Sequence, residues 1–420
     1  MTKLNNKSLI LIFVIADITM KLGKFLVIPV LLFYLSPTEF GQLEFYLSYA
    51  AFFSSFLGPG LQNWLISNGR DEVTKTFFST LALYFRWFLC IFVVTFVVSV
   101  VWNNYLLLAL LLYSFSNSIY LFLVAYVKIL QKYKLYVVSV VILVGLDLAI
   151  IYAFLALDFG FMSRFLGSLI AFFVSLMATY FLLERRFRYY EYKSAKLNVG
   201  EAARFFMPFF FLGLSGFFTT SYAKILVAND EGFVRLASMG LALQVLSMFK
   251  LASDAVVKTV NSVFIPALDS HDIVVTRFYM WSFGFIAAGY LLLLALYLLQ
   301  QEIELVAYPT LLEDLALFTP SRVIMVLNLY ASILVTTLLG SKILFYISIW
   351  TLVAYLFGLP MALKAGGVPY IANFDFFYNA SVFIFYSCFL LVTLNLENRR
   401  LYWLCLLTVL IFMFGFLRFL

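Results

Sequence analysis

The sequence predicts an all-α polytopic membrane protein: two six-helix bundles around a central cavity, with a further apolar run at the C-terminus. Three observations carry this expectation. The 420 residues are 65% hydrophobic and 12% charged, with a mean hydropathy of +1.03, far from the balance of a soluble domain. Apolar runs of the roughly 20 residues needed to cross a hydrocarbon core of about 30 Å recur from one end to the other. The most polar segment, Glu184 to Gly200, divides them evenly.

Taken in order, the first six spans fall near residues 8–34, 42–68, 77–101, 105–129, 135–157 and 161–183. The first is expected to stay as a span. Its apolar stretch from Ser8 to Leu35 is too long for the core of a cleaved signal, is interrupted by charge and lacks a small-residue cleavage site. These spans form an N-terminal bundle, 1–184, followed by a cytoplasmic linker, 185–200. A C-terminal bundle, 201–394, holds spans near 203–228, 234–264, 273–299, 319–341, 343–363 and 369–394. In the remaining 395–420 the run from Leu401 to Leu417 is short; crossing the membrane, tilting in the interface and packing on the bundle are all open to it. The even division fits two parallel repeats related by an axis along the membrane normal, inferred from span count alone.

Basic residues set the orientation. With the N-terminus inside, the inner loops collect Lys3, Lys7, Arg70, Lys75, Lys128, Lys132, Lys134, Arg185, Arg186, Arg188, Lys193, Lys196, Arg277, Lys342, Arg399 and Arg400. The outer loops keep Arg164, Arg235, Arg322 and Lys364, and the outer connection "QQEIELVAYPTLLED" is acidic, with room for a short interfacial helix. The net charge of +7 is therefore topological, directed at membrane lipid, and no nucleic-acid partner is expected. Cys90, Cys388 and Cys405 lack metal-ligand spacing and read as packing residues; His271, the only histidine, falls in a loop. No metal or cofactor is expected.

Charges inside the spans are the candidate site. Asp17, Lys21 and Lys24 follow i, i+4, i+7 spacing and share one face of the first helix. Lys250, Asp254 and Lys258 repeat the pattern along the eighth span. A charge at the bilayer centre costs roughly 2.5 to 3.5 kcal/mol, so such stripes should face a wet, protein-lined cavity. Each aspartate can offset one lysine, which leaves about one cation per helix for an anionic ligand. Lys224 and Arg86 add cations in the seventh and third spans, whereas Glu44, Asp147 and Asp375 read as lone acids of undetermined depth. Snorkelling lysines or plain interhelical pairs are the alternative reading, and Lys258 lies near enough to the inner end to anchor in headgroups.

The stretch from Lys24 to Ile66, with a proline in the first helix, then "YLSPTEFG" and the "LGPG" of Leu57 to Gly60, resembles the opening of Wzx-type O-antigen and polysaccharide flippases. These belong to the multidrug/oligosaccharidyl-lipid/polysaccharide exporter superfamily. The span layout, the basic linker and the "KAGGVP" turn from Lys364 to Pro369 agree with it. Members often carry an Asp-Arg pair in the seventh span; here that region reads "SYAKILVAND", with Lys224 the nearest cation. The resemblance implies alternating-access movement of an undecaprenyl-diphosphate-linked oligosaccharide to the periplasmic leaflet of the bacterial inner membrane. It also implies a polysaccharide polymerase and a chain-length regulator as partners. On that reading Lys21, Lys24, Lys224, Lys250, Lys258 and Arg86 bind substrate, and Asp17 and Asp254 balance charge or couple an ion. Two rivals stand beside it. A polytopic polymerase or glycosyltransferase would need a substantial extramembrane loop and an acid/base constellation, neither of which is evident. A small-molecule antiporter of the same superfamily would call for an acid-dominated cavity.

Overall fold

The computed structural model describes residues 25–57, 59–130, 132–183, 210–247, 308–339 and 342–393, with isolated positions near 16–23 and 284–295. Among these residues the chain is all helix and connecting turn. It divides into two compact units, Met1–Ile225 and Leu226–Leu420. The expected linker, 185–200, and the C-terminal segment, 395–420, lie outside the described residues.

The first unit comprises α1 (Phe25–Tyr34), α2 (Pro37–Leu57), α3 (Pro59–Val101), α4 (Leu106–Ile129), α5 (Tyr133–Ala156), α6 (Met162–Leu182) and most of α7 (Phe210–Asp230). Ser36 and Glu39 start α2 as a capping box. The Glu39 N–H donates to Ser36 Oγ at 3.3 Å and the Ser36 N–H to Glu39 Oε2 at 3.0 Å, with Pro37 between them at the first helical position. The "SPTE" of the resemblance thus has a physical role: it sets the entry to the second span. Helix α4 packs against α2, α3, α5 and α6 and buries one continuous run, Phe122 to Val127. Small hydroxyls tie the helices where side chains are short: Ser114 donates to the Ala50 carbonyl at 2.8 Å, and Thr179 to Ser139 Oγ at 2.8 Å.

In the second unit the described helices are α8 (Phe233–Ser247), α9 (Leu311–Leu339), α10 (Lys342–Gly366) and α11 (Val368–Thr393), with α11 against both α9 and α10. The "KAGGVP" stretch is a tight turn at Gly367, whose φ of +71° suits glycine.

Six described stretches are long and apolar enough to span a membrane: Thr80–Val101, Leu106–Val127, Lys134–Ala156, Met162–Leu182, Phe210–Asp230 and Phe345–Gly366. Two boundaries differ from the apolar pattern. It separates the second and third spans at the charged stretch "SNGRDEVTK", yet α2 ends at Leu57 and α3 runs unbroken from Pro59. Charge takes a helix out of hydrocarbon without breaking it, whereas a proline with no N–H and a fixed φ opens a new one. Conversely, α9 begins at Leu311, eight residues before the span expected from residue 319, and carries Pro320 inside it. Thr319 donates its hydroxyl to the Leu315 carbonyl beside that proline. Cys90 and Cys388, read as packing residues, are exposed; Cys90 stands near the exposed Trp87 and Leu89 on an apolar face of α3.

Helices α5 and α6 approach closely at Gly167. A Cβ there would lie 2.7 Å from Ile151 Cγ1 and 3.1 Å from the Ile151 backbone. Gly167→Ala is therefore expected to force α5 and α6 apart and cost about 1–3 kcal/mol, read as a lowered unfolding midpoint in detergent.

Candidate functional site

The site is built from charges that the helices bring together over long sequence distances. In the first unit Glu44, on α2, is fully buried at 0% exposure. Lys224, on α7, places its Nζ 2.5 Å from Glu44 Oε2. An apolar helix can carry that acid because the ammonium meets it there, replacing part of the solvation it has lost. The approach is shaped by a π turn, Phe218–Tyr222, immediately before Lys224. This turn packs against α2, with Phe217 edge-on to Phe52 at 5.1 Å. Thr219 and Thr220 both donate to the Gly216 carbonyl, at 3.0 and 2.7 Å, and hold the widened turn. Phe217, which is buried, thus supplies packing beside the turn.

Three cations assigned to outer loops prove to be ion-pair partners of buried or half-buried acids. Arg164, in the first turn of α6, lies 2.9 Å from Asp147 of α5, which also accepts from Ser168 Oγ at 2.5 Å. Arg235 of α8 forms a fork on the fully buried Asp314 of α9, with Nη2 at 2.7 Å from Oδ1 and Nη1 on Oδ2. It also faces Glu231 at 3.5 Å. Arg322 of α9 faces Asp375 of α11 at 3.5 Å. The correction has a simple cause: an arginine near the start of an apolar run looks like a loop residue in a linear pattern, whereas each of these three lies within a helix and its long side chain reaches an acid on the neighbouring helix.

Asp375 is the centre of the densest polar cluster described in the second unit. It is 3% exposed and accepts from Ser321 Oγ of α9, from the Tyr355 hydroxyl of α10 and from Asn379 Nδ2 on its own helix, the last at 3.2 Å. Asn328 donates to the Asn379 carbonyl at 2.8 Å, and Thr351 shares a short hydrogen bond with the Tyr378 hydroxyl. The partial signal in the sequence is Asp375 and Asn379, one turn apart in the otherwise apolar "NFDFFYN". Nothing linear links them to "TPSR", Thr319 to Arg322.

Of the residues expected to bind substrate, Lys224 and Arg86 are described. Lys224 is held by Glu44 and is not an uncommitted cation. Arg86 is exposed on the face of α3 that also exposes Leu89, Val93 and Val97, opposite the buried Tyr84, Thr95 and Ser99. Lys21, Lys24, Lys250, Lys258, Asp17 and Asp254 lie outside the described residues. Among the described residues no three His, Cys, Asp or Glu side chains gather in a way that would hold a metal ion.

The fold has counterparts among solved structures. A multidrug resistance MATE family transporter of the MOP superfamily, in an inward-facing conformation, aligns with a TM-score of 0.58 at 13% identity, covering 92% of this chain and 95% of its own. The eukaryotic MATE transporter AtDTX14 aligns with a TM-score of 0.54, also at 13% identity, over 96% of this chain and 95% of its own. The sequence matches no family model and no curated protein. At such low identity these likenesses establish a MATE-like fold.

Breaking the buried pair from one side leaves an uncompensated charge. Lys224→Met alone is expected to cost about 3–5 kcal/mol, whereas Glu44→Gln combined with Lys224→Met recovers most of that loss. Unfolding of the three proteins in lipid or detergent measures the difference.

Proposed function

We propose that the chain is a transporter of the multidrug/oligosaccharidyl-lipid/polysaccharide superfamily that works by alternating access. Its cargo is an undecaprenyl-diphosphate-linked oligosaccharide, moved from the cytoplasmic to the periplasmic leaflet for O-antigen or another surface polysaccharide. The MATE-like fold, matched over more than nine-tenths of the chain, carries the first part. Two features support the second: the resemblance of Lys24 to Ile66 to polysaccharide flippases, and the cation-rich stripes of Asp17, Lys21 and Lys24 and of Lys250, Asp254 and Lys258. A diphosphate joined to sugar is an anion, and a cationic lining suits it. In this reading the protein sits in the bacterial inner membrane with its N-terminus inside. It acts without chemistry of its own and hands its cargo to a polymerase and chain-length regulator.

A small-molecule antiporter is the second reading, and Glu44 favours it. A fully buried acid on α2 can serve a cationic compound if Lys224 swings away. Proteoliposomes separate the two readings. Protein-dependent movement of a fluorescent lipid-linked oligosaccharide, without export of a cationic dye, supports the flippase; the reverse supports the antiporter. In cells, Lys21→Ala with Lys24→Ala, inserted at normal levels, is expected to abolish surface glycan. Undiminished glycan in the double variant would remove both lysines from the cargo path.

A further inference from the structure

The cluster around Asp375 is unevenly satisfied. The carboxylate has three hydrogen-bond donors apart from the arginine: Ser321, Tyr355 and Asn379. The Arg322 side chain is only 13% exposed, and its own account is poor. Nη2 stands 3.5 Å from Asp375 Oδ2, longer than a good N–H···O bond. Nη1 has the Met325 thioether sulfur at 3.3 Å, a weak acceptor. Nε is buried with no hydrogen-bond acceptor among the described residues. A buried guanidinium normally makes several charge-assisted bonds, so this arrangement leaves donors unused among the described residues. Asp375 keeps its three other donors if Arg322 turns toward a second anion.

We propose that Arg322 is an oxyanion-binding residue of the second unit, and that its ligand is a phosphate of the transported lipid diphosphate. The inference rests on the flippase reading for the ligand's identity and on the under-bonded guanidinium for the site. Asp375, Ser321 and Tyr355 then act as positioning residues that hold Arg322 near the ligand without consuming its donors. The planar fork binds a phosphate through two N–H groups, which a lysine ammonium cannot reproduce.

The test uses the full chain in lipid nanodiscs with undecaprenyl diphosphate, undecaprenol and inorganic pyrophosphate as probes. Arg322→Gln is expected to weaken undecaprenyl diphosphate binding about 10-fold or more and leave undecaprenol unchanged, the loss of one to two charge-assisted bonds. Arg322→Lys, which keeps the charge facing Asp375, provides a variant that folds if Gln does not; it is expected to show an intermediate loss. A purely structural arginine would shift both lipids equally. Wild-type binding of the diphosphate that neither substitution weakens would overturn the proposal and leave the flippase reading in place. Arg322-dependent binding of pyrophosphate without binding of the lipid would remove the lipid ligand and keep the anion site. Wild-type protein that binds neither diphosphate would end both.

Discussion

A charged side chain surrounded by hydrocarbon and packed helices must find an opposite charge or a set of hydrogen bonds, and that requirement organises what is described of this protein. Glu44, Asp147, Asp314 and Asp375 all lie on helices, and each meets a basic side chain from another helix. The partners are separated in sequence by 180 residues for Glu44 and Lys224 and by 79 for Asp314 and Arg235. Such pairs contribute little net stability against well-packed apolar residues, but mispairing them is expensive. Their main effect is to make one helix arrangement much better than its neighbours. Apolar contacts between Leu, Val and Phe side chains are far less selective.

The two units meet this requirement differently. In the first, the Glu44–Lys224 pair is close and direct, supported by aromatic packing and the threonine-held turn. In the second, Asp375 is surrounded by neutral donors from three helices, and the arginine beside it is loosely engaged. Close engagement suits a latch that holds a helix pair. Loose engagement suits a group whose bonding capacity is reserved for something else.

Helix positions were largely legible because a span is a one-dimensional feature. The expected 105–129, 135–157 and 161–183 agree within two residues with Leu106–Ile129, Tyr133–Ala156 and Met162–Leu182. The departures arise where polarity and helix-breaking are different properties. The charged stretch after Ile66 continues a helix, a new helix opens at Pro59, and Pro320 is accommodated within α9. Side-chain partnership was much less legible. Arg164, Arg235 and Arg322 read as outer-loop cations because a linear pattern records where a Cα lies along a span but not how far a guanidinium reaches. Lys224 was recognisable as an intramembrane cation, but its acid, on a helix far away in sequence, was not.

The turn from Phe218 to Tyr222 ties this partnership to chain length. A helix containing one π turn is in effect an α-helix with a single residue inserted, and each residue of an α-helix advances about 100° around the axis. Every side chain after the insertion is therefore out of phase with those before it. Lys224 reaches Glu44 from an azimuth that an uninterrupted helix starting at Phe210 would assign to a different position. The register of this lysine is thus written in a residue count as much as in residue identity: a homologue one residue shorter here would present another side chain to α2.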